Sequence, residues 1–411
     1  MGRTISIFAP LDSLNTILFD DNAWEQLLPL TLTKPVAHLR IGISTIAEKW
    51  QHLLDAFPEE ISYLTQDYLS IKYKLRLEED NLFLNGSVVP NVPLLQQIQK
   101  LLPGQGLIRD KKLIAFRSAQ KSLEVLHKMI KNPSQYLILT SYTNDFLKIQ
   151  FPWDIFTHNS YVIKEDFKSL TAGLNTDDIP LLNTIIGNED DLFIETEEEI
   201  EGVFFNTKNG PIYVGSGVKI LEGSMLRGPL AICENAVVKM GAKIYGGTTI
   251  GPFSKVGGEL SNVVIQGYSN KGHDGYLGNS VIGEWCNLGA DTNCSNLKNN
   301  YSFIKVWQYP EQDSINTGLQ FCGLIMGDHS KSSINTMFNT GTVVGVSANI
   351  FGAGFPPKFV PSFSWGFETP TVYQFDKAME TVERVMNRRH ITLNNTDRDI
   401  LRHIFDHKTT L

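Results

Sequence analysis

Residues 272–296 read GHDGYLGNSVIGEWCNLGADTNCSN and set an imidazole at His273, a phenol at Tyr276 and carboxamides at Asn287 and Asn296. A neutral imidazole, with an unperturbed pKa of about 6.5, takes a proton from an amine or hydroxyl nucleophile near neutral pH. A phenol and two carboxamides supply the donors and acceptors that hold a small polar ligand. Acyl transfer from a thioester to an amine needs such a base, together with a backbone N–H for the developing oxyanion. Lys255 and Lys271, which flank the approach to this stretch, are further candidates for substrate binding.

The elements that must position these groups announce themselves by a beat of six. Val214, Ile220, Leu226, Ile232, Val238, Ile244, Ile250 and Val256 fall at every sixth position, and the beat resumes at Ile282 and Leu288 and again at Val344 and Ile350. That period fits neither a helix nor an alternating strand and is the signature of a hexapeptide β-helix, in which each aliphatic residue points into a prism. A coil cannot bury its own faces, so stacking must supply the core. Between Val256 and Ile282 the beat is lost in GGELSNVVIQGYSNKGHDGYLGNS. Glycine and asparagine on this scale read as a loop thrown out from the solenoid, with His273 on it.

This stretch resembles the acetyltransferase half of the bacterial bifunctional enzymes that make UDP-N-acetylglucosamine. The matching residues are Gly272-His273, Tyr276-Leu277-Gly278, Ile282-Gly283, Asn287-Leu288-Gly289-Ala290, Thr292 and Asn296. The resemblance implies a left-handed parallel β-helix and a homotrimer with acetyl-CoA in the groove between neighbours. It implies His273 as general base, Tyr276, Asn287 and Asn296 as sugar-phosphate ligands, and Ala290 beside acetyl-CoA. Asp291 stands where the family has Gly and Leu297 where it has Tyr, which puts acceptor identity in doubt. Zinc is disfavoured, since only His273 and His329 lie in the solenoid and a site normally takes three or four ligands.

Ahead of the solenoid, strand-like runs (TISIF, TILF, QYLILT) alternate with helix-like ones (PVAHLRIGISTIAEKWQHLLDAF, AQKSLEVLHKMI). That alternation predicts an α/β layer domain. In the same family this half is a nucleotidyltransferase with a Rossmann-like fold and a glycine-rich loop after its first strand. No glycine lies between Gly2 and Gly42, whereas LLPLTLTKPVAHLRIG resembles a divergent branch of the family. The resemblance implies Lys34 and Arg40 on a nucleotide's phosphates. For Mg2+, which usually takes a carboxylate or two plus substrate phosphates, Asn85 stands at the first site and Asp154 with Asn159 form the candidate pair, which can equally be helix caps.

The expected domains are an α/β unit over 1–205, the β-helix over 206–360 and a helical tail over 361–411. The acidic stretch GNEDDLFIETEEEIEG reads as a solvated connector, GFPPKFVPSFSWG as a crossing segment, and NRRH at 387–390 as a solvated helix face. A net charge of -8 argues against nucleic acid as the main partner. No run approaches a membrane span, Met1-Gly2 is a weak lipidation cue, and four cysteines without a C-x-x-C pair fit a reducing cytoplasm. The favoured reading is a sugar-phosphate transferase that uses acetyl-CoA in one half, and a nucleotide with Mg2+ in the other. The alternatives are a nucleotidyltransferase with a structural β-helix, and a sugar-nucleotide-binding scaffold.

Overall fold

The computed structural model describes residues 14–177, 182–196, 199–369 and 371–407. The TISIF run and Met1-Gly2 lie outside the described residues. The chain divides into two compact units. The first comprises residues up to Trp24, Lys34–His38 and Thr45–Gln150; the second comprises Glu25–Thr33, Leu39–Ser44 and everything from Phe151 on.

The first unit is built on a six-stranded sheet, in the order Ile61–Leu64, Asn15–Phe19, Asn81–Asn85, Lys112–Ser118, Gln105–Arg109, Ile138–Ser141. Strand Asn15–Phe19, second in that order, is parallel to both neighbours, so three carboxyl ends emerge at one edge. Ile17, Phe19, Phe83 and Phe116 form its core, with the Phe83 and Phe116 rings stacked at 4.4 Å. The helical run expected over 35–57 contracts to helix Ile46–Leu54, which starts where Thr45 and Glu48 close a capping box.

The second unit is a parallel β-solenoid. On one face Val214, Ile232, Ile250, Ile265, Ile282, Met326, Val344 and Val360 stand in direct register, coil on coil. All of them are buried, each worth about 1.5–3 kcal/mol of transfer free energy. On the next face Ile200, Ile220, Val238, Val256 and Lys271 continue the interior column. On the third face the column runs through Phe205, Leu226, Ile244, Leu260 and Leu277.

Four expectations are corrected. The solenoid begins before the six-residue beat is legible, with strands Thr184–Ile186, Leu192–Ile194 and Glu199–Ile200 formed partly by the acidic stretch read as a connector. Glu189, Asp190, Glu195, Glu199 and Glu201 are exposed while Leu192, Ile194 and Ile200 enter the core. The interruption carrying His273 is no loop. Eighteen residues separate Val238 from its partner Val256, whereas fifteen separate Val256 from Lys271, so the coil persists and only shortens.

The true excursion lies later, between Asn293–Cys294 and Leu324–Met326. It is closed by a bridge between Leu297 and Phe321 and carries the hairpin of Lys305–Gln308 with Asp313–Asn316. The proline-rich segment expected to cross out of the solenoid supplies its last strands, Phe359–Val360 and Ser364–Trp365. The tail forms helices Phe375–Asn387 and Asn395–Asp406, the second capped by Asn394, and Phe363 packs against Phe375 and Phe405.

Helix Pro152–Leu170 belongs to the solenoid unit. Its fully buried Asn159 accepts from the Gly42 N–H at 2.6 Å and donates to the Gly247 carbonyl and Thr249 hydroxyl at 2.8 and 2.9 Å. Truncation would leave several buried polar groups unsatisfied. Asn159→Ala should cost about 2–4 kcal/mol in urea unfolding of this unit; a loss below about 0.5 kcal/mol, the ordinary surface value, would show that the bracket carries no weight.

Candidate active site

His273 is exposed on the corner Gly272–Gly275, between strands Asn270–Lys271 and Tyr276–Glu284. Backbone bonds along the prism fix that corner from both sides. Gly257 N–H donates to Lys271 O at 2.8 Å, Glu259 N–H to Gly275 O at 3.2 Å, and from the coil above Asp291 N–H to Asp274 O at 3.1 Å. Beneath lies Gly258, at φ +72; a Cβ there would stand 2.9 Å from the His273 carbonyl oxygen and 2.8 Å from that of Gly275. The glycine is what lets the histidine corner sit down on the shortened coil.

Tyr276 and Asn296 come together as the spacing implied. The Tyr276 hydroxyl accepts from Asn296 Nδ2 at 3.0 Å, and the same nitrogen donates to Asn279 Oδ1 at 2.8 Å. The phenol folds over Gly278, where a Cβ would lie 2.3 Å from its oxygen. Burial raises the Tyr276 pKa, opposed by the Asn296 bond, so at neutral pH the hydroxyl keeps its proton. Asn287 sits on the adjacent face, where its Oδ1 accepts from Asn270 Nδ2 at 2.9 Å. Ala290 lies in the corner that stacks above the histidine corner.

Both departures from the family pattern have a local cause. Asp291 has φ +55, a left-handed position that glycine takes freely and aspartate tolerates. Leu297 forms the neck of the excursion.

Two lysines divide. Lys255 is half-buried and its pKa is lowered by desolvation and by Arg389, Lys239 and Arg388. Those four cations make a local excess of positive charge to which Arg388 and Arg389 of the largely exposed NRRH run contribute. Lys271 is buried in the interior column and its ammonium group donates to the carbonyls of His273, Gly257 and Asp274 at 2.6, 3.2 and 3.3 Å. It has no surface to offer a substrate, which corrects its assignment as a ligand.

Lys34 is buried in the first unit. Arg40 is in the second unit, and its backbone and guanidinium bond to Gln266, with a further guanidinium bond to the Ile43 carbonyl. A guanidinium so committed is a bolt to the solenoid, so its assignment to a nucleotide is corrected. The Mg2+ pair is corrected too. Asp154 accepts from the Phe151 N–H at 2.8 Å as a helix cap, and the Asn159 amide is engaged on both its oxygen and its nitrogen.

The sequence reading missed the chemistry at the edge of the first unit's sheet. Where strand Asn15–Phe19 ends, Asp20 accepts from the Val36 N–H at 3.0 Å and the Thr65 hydroxyl at 2.6 Å. Asp21 pairs with Lys148 at 3.1 Å and accepts from Asn85 Nδ2 at 2.9 Å. Asn85 therefore anchors a carboxylate. A sliver of Asp20 reaches solvent but its carboxyl is enclosed, and desolvation pushes its pKa up to about 7. Carboxyl ends of parallel strands at a switch of strand order are where α/β sheets bind ligands. Two aspartates straight after an apolar strand were the available signal.

Residues 16–175 match the family model described as sugar nucleotidyl transferase. A protein of Methanococcus vannielii named Bifunctional protein GlmU is 27% identical over 231 residues, covering 56% of this chain and 48% of its own length. One of the same name from Methanocaldococcus jannaschii is 27% identical over 238 residues, covering 57% and 50%. Over these spans the chain is similar to GlmU proteins and to sugar nucleotidyl transferases. It spans about half the length of the curated relatives it matches. The α/β domain and parallel solenoid agree with the sequence reading, and among the described residues no helix is long and apolar enough to cross a membrane.

The enclosed Asp20 yields a pH signature. Its folded pKa of about 7 lies above the ordinary 3.8, so the stability it contributes is present below pH 4 and is lost as pH rises through 7. Asp20→Asn should therefore gain on the wild type in thermal unfolding across that window. A difference that stays flat from pH 4 to 8 would place Asp20 at its unfolded-state pKa.

Proposed function

We propose that the chain is a two-site transferase of sugar-nucleotide biosynthesis. The solenoid corner carries acetyl-CoA-dependent N-acetylation of an amino-sugar 1-phosphate, with glucosamine-1-phosphate the first candidate. The observation that carries this is the seating of His273 on a corner fixed by backbone bonds, with Tyr276 and Asn296 joined beside it. In the reaction the acceptor nitrogen bonds to the thioester carbonyl carbon and the C–S bond breaks. His273 takes the amine's proton and passes it to the departing thiolate. Tyr276, Asn287 and Asn296 hold the acceptor, Ala290 lines the acetyl-CoA side, and the cations around Lys255 draw its phosphate.

The first unit carries nucleotidyl transfer from a nucleoside triphosphate, with UTP the first candidate, to a sugar 1-phosphate. Support comes from the family match over 16–175 and from the sheet edge with Asp20, Asp21 and Lys148. Among the described residues no three His, Cys, Asp or Glu side chains cluster for a metal ion. Mg2+ is satisfied by one or two carboxylates plus substrate phosphates, so Asp20 and Asp21 are the residues that would hold it. When bound it neutralises charge on the phosphates. Lys34 and Lys148 supply fixed positive charge in the same unit.

Two assays decide. One supplies acetyl-CoA and glucosamine-1-phosphate and reads thiol release; the other supplies UTP, Mg2+ and N-acetylglucosamine-1-phosphate and reads pyrophosphate. His273→Ala should lower thiol release by about 100-fold or more and leave pyrophosphate release unchanged. Thiol release that survives the substitution removes the role of His273. Pyrophosphate alone would make the solenoid an assembly element, and no product in either assay would favour a binding scaffold. The same reading makes the chain a homotrimer, which sedimentation equilibrium should report as three copies; a monomer at assay concentration would break it.

A further inference from the structure

Lys271 is anomalous among its neighbours. The interior column that it continues reads Ile200, Ile220, Val238 and Val256 below it, and Leu288 follows in the coil above. An aliphatic residue would fill that position without desolvating a charge. Taking an ammonium ion out of water costs several kcal/mol, which only good hydrogen bonds offset. Here all three N–H donors find carbonyls, and two of the three, His273 O and Asp274 O, belong to the corner that presents the imidazole. The shortest contact, 2.6 Å, is to the carbonyl of His273 itself.

We propose that Lys271 is a positioning residue for the acyl transfer, an internal cation that clamps the His273 and Asp274 carbonyls and thereby sets where the imidazole stands. This rests on the acetyltransferase reading of the corner, although the clamp exists whatever the corner does. Of the four residues Gly272–Gly275 two are glycines, and His273 and Asp274 are exposed rather than packed into the prism. From beneath they rest on Gly257 and Gly258, which bring backbone alone. From above they are tied by one bond, Asp291 N–H to Asp274 O. Glu259 N–H holds the Gly275 carbonyl at the far end, and the ammonium group inside the prism adds a tether on the His273 carbonyl itself; a displacement of about 1 Å at a catalytic group costs on the order of 100-fold in rate.

The charged groups acting on Lys271 are Asp274 on its own corner and Asp291 on the corner above, both favouring the cation; the glycines beneath carry none. Burial outweighs them and brings the ammonium down to about 8. Rising pH therefore removes one of its three donors within a range the protein can be assayed in.

The test compares wild type, Lys271→Met and Lys271→Arg in the 411-residue chain. Hydrogen exchange is read on a peptide spanning residues 270–277, with residues 237–244 as an internal control. Lys271→Met should speed exchange at 272–276 at least about tenfold and leave the control unchanged. It should lower kcat for thiol release by about 10- to 100-fold with a smaller change in the acceptor KM. Lys271→Arg should recover part of both, and wild type taken from pH 7 to 9.5, corrected for intrinsic exchange, should move towards Lys271→Met.

Exchange and kcat within twofold of wild type would overturn the proposal. So would a kcat per folded molecule that is unchanged while the melting temperature falls, since that is a merely structural role. If Lys271→Met does not fold, the wild-type pH series and Lys271→Arg decide alone, and protection at 272–276 that is indifferent to pH counts against the clamp. Absence of thiol release from wild type would remove the acetyltransferase reading, while the exchange comparison would still decide whether the clamp exists.

Discussion

Parallel backbone hydrogen bonds running along the prism axis are the interaction on which the candidate chemistry of the solenoid depends. Each coil donates to the one beside it, and each interior residue stands on its counterpart, as Ile232 does between Val214 and Ile250. A corner inherits its position from the corner below. The His273 corner is therefore located by Gly257, Gly258 and Glu259 and capped by Asp291, without any side chain of its own needing to hold it in place from outside. Shortening one coil by three residues shifts the phase of the prism locally while keeping its pairing. A four-residue corner thus rests on the two-residue turn Gly257-Gly258, and an exposed imidazole stands on a rigid edge.

The first unit solves a different problem with a different element. Its sheet brings three carboxyl ends together at one edge, and Asp20, Asp21, Thr65 and Asn85 gather there because their strands are parallel neighbours. A glycine-rich loop would offer backbone N–H groups to phosphates, which need no countercharge. Two aspartates offer the reverse sign. Such an edge favours a phosphate only through an intervening cation, whether Lys148 or a divalent ion, and the raised pKa of Asp20 reflects how little water reaches it.

How much of this was legible in the sequence follows from what each signal reports. The six-residue beat reports interior contacts, and Val214 to Val256 on that beat are all buried in the solenoid. The same beat misled where register and pairing part company. Between Val256 and Ile282 the sequence lost its period while the chain kept its coil, because a period is counted in residues and a coil is closed by hydrogen bonds. The excursion at 297–321 was invisible for the opposite reason, since its strands Lys305–Gln308 and Asp313–Asn316 carry no coil pattern. Asn159 and Arg40 looked like ligands by residue type, and only the partners they meet identify them as structural.

Those partners supply a general criterion for reading buried polar groups in this protein. Arg40 and Lys271 are both cations whose hydrogen bonds end mostly on main-chain carbonyls, and on energy alone the two would be indistinguishable. What separates them is whose backbone they hold. Arg40 binds Gln266 and Ile43, which present no reactive group, so its effect ends with the local fold. Lys271 binds the residue that carries the imidazole and the one after it. A buried cation stabilises little on balance, because desolvation consumes most of what its bonds return. Its consequence is directional: it chooses one position for the carbonyls it touches, and for Lys271 that position is inherited by His273.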